Sequence, residues 1–364
     1  MTIKDITAAI EEIAPLSYAE GFDNVGLLVG AYDTEVSGVL VTLDTLEKTV
    51  DEAIASNCNL IVSFHPIIFS GLKKINGNSY VERVVIKAIQ NNIAIYATHT
   101  ALDNSFVGVN ARICDTIGLV NKQILIPQAK TIKKLTTYAP MESAQMIRKK
   151  LFEVGAGNIG NYENCSFNTE GIGTYKGNEF SNPAIGEKGV LYTGSEEQIN
   201  ITFEKHKEKA VIKALLNSHP YEEVAYEITA LENNNQHIGM GMLGEFEEAI
   251  SEKEFIYRLK ENMNTPCIRH SQLLDKKIKK VAVLGGSGSF AIQNAIVQGA
   301  DAFVSADFKY HDFYQAENQI LLTDIGHYES EQFTKNLLVE FLTKKFPNFA
   351  ILLSEESTNP IYYS

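Results

Sequence analysis

The segment LLTDIGHYESEQF, residues 321–333, places an imidazole and a carboxylate four residues apart, directly after an apolar run. If a helix begins after Gly326, His327 and Glu331 lie on one face of it, where both can reach the same ion. The alternative is an exposed pair near a helix start, because acidic residues are favourable at that end in any case. Taken alone, the spacing leaves a metal site and a solvated helix face equally open.

Other apolar segments also end in ligand-type residues. NLIVSFH ends at His65, IAIYATH ends at His99 and is followed by Asp103, and AFVSAD ends at Asp307 shortly before His311. In open α/β sheets, ligands bind outside the carboxyl ends of the strands. Imidazole and carboxylate ligands together are typical of transition ions such as Zn, Fe or Mn, whereas Ca²⁺ and Mg²⁺ prefer oxygen alone. The sequence therefore predicts one or two divalent transition ions per chain.

Each of these residues also has a structural alternative. His65 alone could be a buried histidine bonded to the backbone, and Asp103 could cap a helix or begin a turn. His99 and His311 suit proton transfer or ligand orientation better than ligation. A carboxylate at Glu331 could bridge two ions ~3.5–4 Å apart, the arrangement that activates water in two-metal hydrolases.

The elements that must position these residues alternate regularly along the chain. Residues 1–129 and 234–364 alternate between apolar strand patterns and amphipathic helix patterns, which favours mainly parallel sheets covered by helices. Residues 130–233 show the pattern strand–helix–strand twice, which predicts a ferredoxin-like α+β unit. The predicted fold is α/β: a two-lobed, layered metal-binding domain interrupted by an inserted ferredoxin-like domain.

A glycine-rich turn, VAVLGGSGSFAIQNA at residues 281–295, suggests a different function. Gly286, Gly288 and Ala291 loosely match the dinucleotide fingerprint G-x-G-x-x-A, and Asp307 follows about 20 residues later at a strand end. An NAD-dependent oxidoreductase is therefore an alternative, although no second Rossmann half follows. The favoured interpretation is a tight strand–helix turn that holds a substrate phosphate at the helix N-terminus.

Composition excludes several other classes. The 364 residues carry a net charge of −13 without a dense Lys/Arg block, which predicts no nucleic-acid binding. The four cysteines are scattered without metal or redox spacing and are interpreted as reduced thiols. The first residues, MTIKDITAAIEEIAPL, lack the pattern of a secretory signal, and no apolar run approaches the ~20 residues of a membrane helix. We expect a cytoplasmic protein without membrane association.

Several motifs together resemble the Nif-three-like family of di-metal hexameric proteins, often called GTP cyclohydrolase 1 type 2 homologues. The motifs are GFDNVGLLVG (21–30), SFHPIIF (63–69), ATHTALDN (97–104), GGSGS (285–289), ADFKYHD (306–312) and DIGHYESEQF (324–333). The middle unit, with HPYEEVAYEI at residues 219–228, resembles the CutA-like insertion of the longer bacterial members.

The resemblance implies a dinuclear metal centre and assigns ligands to both of its ions. His65 and Asp103 would bind one metal, His327 would bind the second, and Glu331 would bridge both. In much of the family a second histidine precedes the residue equivalent to His65 and binds the second metal. Phe64 stands at that position here. The resemblance therefore implies a second site that is weak, differently ligated or absent.

The family also implies an activity and an assembly. The implied activity is metal-dependent hydrolysis of a purine nucleotide or a similar small phosphorylated molecule, in its named version the opening of the imidazole ring of GTP. His311 or His99 would transfer the proton. The implied assembly is a homohexamer with metal sites facing an internal cavity. The alternative function is a non-catalytic metal-binding or regulatory hexameric assembly.

Overall fold

The chain folds as two units, one formed by Met1–Pro127 with Gln236–Ser364 and the other by Gln128–Asn235. A computed structural model describes residues 1–364. None of its helices combines the length and the apolar composition that a bilayer crossing requires. The strands are β1 Gly26–Val29, β2 Val39–Thr42, β3 Leu60–Ser63, β4 Ala94–Ala97, β5 Val120–Ala129, β6 Ile132–Pro140, β7 Phe167–Lys176, β8 Leu191–Glu204, β9 Tyr226–Ala230, β10 Asn234–Ser251, β11 Arg269–His270, β12 Lys277–Ser287, β13 Ala302–Ala306, β14 Leu321–Asp324 and β15 Ile351–Leu353.

Helices connect most of these strands. They are α1 Ile3–Ile13, α2 Glu47–Ala55, α3 Tyr80–Gln90, α4 His99–Asp103, α5 Val109–Ile117, α6 Met141–Glu153, α7 Glu208–Ser218, α8 Glu252–Asn262, α9 Ile292–Val297, α10 His327–Glu331 and α11 Thr334–Lys345. The amphipathic pattern at the start of the chain, predicted to be helical, forms α1, which buries Ile3, Ile6 and Ile10. The α/β class predicted from the alternation of patterns is confirmed.

The first sheet has the strand order β1-β4-β3-β2-β15. Its strands pair in parallel, except for β1, which lies antiparallel to β4. Strands β2, β3 and β4 are buried at every position, as expected for parallel strands covered on both faces. Because Ser63 of β3 pairs with Ala97 of β4, the residues that follow the two strands leave the sheet side by side.

The second sheet has the order β11-β14-β13-β12-β10-β5, with β12, β13 and β14 in parallel. Ser287 pairs with Ala306, and Ser305 pairs with Asp324, so the carboxyl ends of three strands meet at one edge. This register places the glycine turn, the segment after β13 and the start of α10 next to one another.

The last strand belongs to the first sheet although it lies in the C-terminal segment of the chain. β15 pairs in parallel with β2. The physical reason is burial: α11 packs against both β15 and β2 and covers that end of the sheet. One hydrophobic cluster contains residues of both chain segments, among them Ile10, Val41, Leu60, Val281, Val304, Leu321 and Leu342.

The second unit contains β6, α6, β7, β8, α7 and β9. Its four strands form one antiparallel sheet in the order β7-β8-β6-β9. It has a hydrophobic cluster of its own, which includes Leu135, Ile147, Leu151, Ile201 and Leu215. The flanking strands β5 and β10 are neighbours in the second sheet of the first unit, and Gly239 approaches Ile126 while Gly244 approaches Leu119. The unit is thus inserted between two antiparallel neighbouring strands.

This insertion point predicts that the first unit folds without the second. We expect a chain in which a short Asn-Gly turn replaces residues 130–233 to keep a cooperative thermal unfolding transition and its α/β circular dichroism spectrum. The reason is that such turns close antiparallel neighbours, and each unit has its own core. The full-length chain is the control, and an excised chain that melts without cooperativity contradicts the prediction.

Candidate metal centre

Three predicted ligands meet at the carboxyl ends of the two sheets. Ligand atoms of His65, His327 and Glu331 lie within 4.8 Å of one another. Oε2 of Glu331 is 3.1 Å from Nε2 of His65 and 3.3 Å from Nε2 of His327. One carboxylate oxygen therefore faces two imidazoles, one from the loop after β3 and one from its own helix, α10.

Glycine 286 makes room for this carboxylate. Its φ of +69° lies in the left-handed region, and a Cβ at this position would collide with Oε1 of Glu331. The amide of Gly286 donates to Oγ of Ser330 at 2.9 Å, and the amide of Gly285 donates to Oδ1 of Asn110 at 3.0 Å. Two amides of the turn are thus bonded within the protein rather than presented to a phosphate. The glycine-rich turn, for which the sequence suggests a phosphate or dinucleotide, packs instead against Glu331.

Two aspartates orient the imidazoles. Nδ1 of His65 is 2.8 Å from Oδ1 of Asp44, and Nδ1 of His327 is 2.7 Å from Oδ2 of Asp307. Each contact directs the Nε2 of its ring towards Glu331. Histidines that bind metals almost always donate their other ring N–H to such a partner, which fixes the tautomer and raises the basicity of the ligand.

The opposite charges of the cluster shift one another's pKa values strongly. Burial lowers the pKa of His65, but the hydrogen bond with Asp44 and the adjacent carboxylate of Glu331 outweigh it and raise the pKa to about 10. His327 follows the same balance with Asp307 and Glu331, and its pKa rises to about 11. Burial raises the pKa of Glu331, but His327 and His65 lower it to about 2. The two imidazoles and the Glu331 carboxylate thus stabilise one another's charged forms.

Asp103 is near enough to Glu331 for the two charges to interact, but it is not among the three residues whose ligand atoms lie within 4.8 Å of one another. Burial, reinforced by the negative charge of Glu331, raises the pKa of Asp103 well above its ordinary value. Oδ1 of Asp103 and Oε2 of Glu331 are both buried, and neither has a hydrogen-bond partner. Buried polar atoms are normally satisfied, and a divalent cation would satisfy the Glu331 oxygen and the two imidazole nitrogens together. The side chains of His65, His327 and Glu331 therefore fit a transition ion.

His99 lies beside the cluster in a strained backbone conformation. Its φ is +29°, and its ring centroid is 5.4 Å from that of His65. Nδ1 of His99 is 2.8 Å from Oδ1 of Asp23, and the backbone amide of Thr100 donates to the other oxygen at 3.1 Å. In this third Asp–His pair, Asp23 contacts Nδ1 of His99 and not its Nε2.

Phe64 stands fully buried next to these rings. Its centroid is 4.9 Å from that of His65 and 5.7 Å from that of His99. A phenyl ring supplies no ligand atom, so the position adds packing rather than coordination.

His311 is separated from this group. It is exposed, and its ring lies edge-on to the ring of Tyr310 and tilted against the ring of Tyr314. Sequence reasoning also missed Asp44 and Asp23 as orienting residues. The signal for Asp44 was present, because it follows β2 and so lies at the same strand edge as His65. Asp23 precedes β1 in a loop, where no strand-end rule applies.

An α/β protein with a buried cluster of two histidines and a carboxylate that could hold a metal ion is the class that this geometry defines. The family model for Duf34/NIF3 (NGG1p interacting factor 3) matches residues 1–360. A Bacillus subtilis (strain 168) protein called GTP cyclohydrolase 1 type 2 homolog is 37% identical over 99% of this chain and 98% of its own length. A protein of the same name from Halalkalibacterium halodurans is 35% identical over 97% and 96%.

Solved structures agree with the sequence relatives. The crystal structure of a Bacillus cereus protein related to NIF3 has a TM-score of 0.88 and 34% sequence identity, and the match covers 100% of this chain and 99% of that one. The chain belongs to the Duf34/NIF3 family, as its motifs indicate.

The orienting role of the aspartates leads to a prediction. We expect Asp44→Asn and Asp307→Asn each to weaken Zn²⁺ binding by about 10- to 100-fold, because an amide orients the imidazole less well and does not raise its basicity. Competition against a colorimetric chelator measures the affinity. Asp23→Asn is the matched control, because Asp23 contacts His99, which lies outside the group of His65, His327 and Glu331. The Zn²⁺ affinity of this variant should stay close to the parent value. Equal affinities for all three variants and the parent contradict the assignment.

Proposed function

We propose that this protein is a metal-dependent hydrolase in which His65, His327, Glu331 and Asp103 hold a divalent transition ion, Zn, Fe or Mn. The observation that carries the proposal is the single Glu331 oxygen that faces two oriented Nε2 atoms. The Glu331 side chain is only 4% exposed, so its charge requires a close counter-charge. A bound ion supplies Lewis acidity and lowers the pKa of water at the site.

The residues of the chain supply orientation and proton transfer. Asp44 and Asp307 hold the two ligand rings, and the buried surroundings keep the geometry rigid. Of the two predicted proton-transfer residues, His99 is the better supported, since it lies against His65 and is held by Asp23. His311 stays the second candidate, although its ring contacts are with exposed tyrosines.

The substrate class comes from the relatives. Proteins that share 33–37% of their sequence with this chain are called GTP cyclohydrolase 1 type 2 homologs. We propose a nucleotide or a similar small phosphorylated molecule as the substrate of this chain, with opening of the imidazole ring of GTP as the named reaction.

Phe64 bears on the number of ions. His65, His327 and Glu331 share one ligand cluster, whereas a second ion would lack the ligand that a histidine at position 64 would supply. We propose one firmly held ion per chain; a second ion would be held weakly, because Phe64 supplies no ligand for it.

This proposal predicts a result for elemental analysis. We expect about one transition ion per chain in protein purified without chelators, and a rise towards two in Phe64→His, because the substitution restores a ligand for a two-ion centre. Phe64→Leu is the control for the loss of packing at this buried position, and its metal content should equal that of the parent. Two ions in the parent, or no rise in Phe64→His, contradict the proposal.

The alternative function is a non-catalytic metal-binding or regulatory assembly. The fully buried phenyl ring of Phe64 favours it, since a centre with one ion activates water less well than a pair.

In either case we propose a cytoplasmic homohexamer. We also propose that the two sheets of the first unit form two layered lobes, and that the second unit is a CutA-like insertion with a ferredoxin-like fold, supported by its β-α-β-β-α-β order and its strand order β7-β8-β6-β9.

Turnover separates the two functions. With Zn²⁺, Mn²⁺ or Fe²⁺ added, we expect the parent to hydrolyse GTP or another nucleotide. Glu331→Ala should lose both metal and turnover, because the shared ligand is gone. His99→Ala should keep its metal and lose about 10²- to 10⁴-fold in rate, the usual contribution of a general acid or base.

His311→Ala tests the second candidate in the same assay, and a loss of rate with retained metal in that variant, and not in His99→Ala, assigns the proton transfer to His311. Turnover that survives in Glu331→Ala contradicts the hydrolase mechanism. A metal-loaded parent without activity on any nucleotide supports the non-catalytic alternative.

A further inference from the structure

The segment 354–359, which follows β15, runs along the first unit towards the candidate metal centre. The backbone of Ser354 accepts from Nζ of Lys335 at 3.1 Å, and the amide of Glu355 donates to Oε1 of Glu52 at 2.7 Å. Further along, Glu356 forms an exposed ion pair with Lys48 at 3.1 Å. These contacts anchor the segment to α11 and α2, and the amide of Ser354 donates to the carbonyl oxygen of Val41 in β2 at 2.9 Å.

Thr358 contacts the aspartate that orients His65. Its Oγ1 donates to Oδ2 of Asp44 at 2.6 Å, while Oδ1 of the same carboxylate holds Nδ1 of His65 at 2.8 Å. Thr358 is only 6% exposed, so water competes little for the contact. The hydroxyl therefore fixes the rotation of the Asp44 carboxylate, and the carboxylate fixes the ring.

The next residue, Asn359, contacts the helix that carries the other ligands. Its Nδ2 donates to Oε1 of Glu329 at 3.0 Å. Glu329 is 3% exposed and lies in α10 between His327 and Glu331, and its other oxygen has no hydrogen-bond partner. The amide of Asn359 thus satisfies part of a buried carboxylate in the ligand helix.

We propose that segment 354–359 is a clamp that positions the two halves of the metal centre. The two halves come from different sheets, since His65 follows β3 of the first sheet and α10 follows β14 of the second. Adjacent residues of the segment bond to each half, Thr358 on the side of His65 and Asn359 on the side of α10. The proposal rests on the metal centre proposed above and adds Thr358 and Asn359 to it as positioning residues.

Zn²⁺ affinity of the full chain tests the clamp. Thr358→Val keeps the shape of the side chain and removes the hydroxyl, and Asn359→Leu does the same for the amide. We expect each to raise the Kd for Zn²⁺ about 3- to 10-fold, less than the 10- to 100-fold typical of an orienting carboxylate itself. Thr358→Ser keeps the hydroxyl and should restore the parent affinity. Lys345→Met removes an exposed ion pair with Glu12 that lies outside the segment, and it should change the Kd by less than about twofold.

A spectroscopic readout distinguishes positioning from general stabilisation. Loss of the buried hydroxyl lowers the thermal midpoint in either case, so the visible spectrum of the Co²⁺ form is the deciding measurement. It should change in Thr358→Val and not in Lys345→Met. Lowered affinity with a changed spectrum supports the clamp. Lowered affinity with the parent spectrum overturns it, because the segment then stabilises the fold alone.

The outcomes also separate this proposal from the metal centre itself. Parent affinity in both Thr358→Val and Asn359→Leu overturns the clamp and leaves the metal centre in place, as does Thr358→Ser that binds as weakly as Thr358→Val. A parent protein that binds no Zn²⁺ overturns the metal centre and the clamp together.

Discussion

The structure around the candidate site depends on one buried carboxylate. Glu331 places an anionic oxygen about equally close to two imidazoles, at 3.1 and 3.3 Å, in surroundings that leave it 4% exposed. An unpaired carboxylate in such surroundings is too costly, so the fold must supply positive charge, by protonated histidines or by an ion. The features near it serve this requirement: Gly286 makes space for the carboxylate, and Asp44 and Asp307 direct the rings towards it.

The second constraint is that the ligands come from two separate sheets. Strand ends within one sheet are aligned by hydrogen-bond register, as Ser63 and Ala97 are, but register does not align one sheet with another. Here the alignment comes from a shared hydrophobic cluster and from the last strand, which returns to the first sheet after the second is complete. Because the chain crosses between the sheets in this way, the positions of the candidate ligands depend on the stability of the whole first unit.

Residues that look alike in the sequence have different roles for physical reasons. His99 and His311 both follow apolar segments, yet His99 is drawn to His65 because β3 and β4 are paired, whereas His311 follows an irregular segment after β13 and packs on exposed tyrosines. The glycine turn resembles a phosphate loop because both need backbone without side chains. In this protein the atom that approaches the glycine belongs to Glu331, which no periodicity indicates.

Much of the fold and of the candidate site of this protein could be predicted from its sequence alone. The alternation of strand and helix patterns, the histidines at strand ends and the four-residue spacing of His327 and Glu331 follow from backbone geometry, and all of them are found in the structure. Tertiary structure alone decided the pairing of Asp44 with His65, the crossing of β15 and the contacts of segment 354–359. These contacts join residues far apart in the chain, and their distances depend on how two sheets pack, which no local pattern encodes.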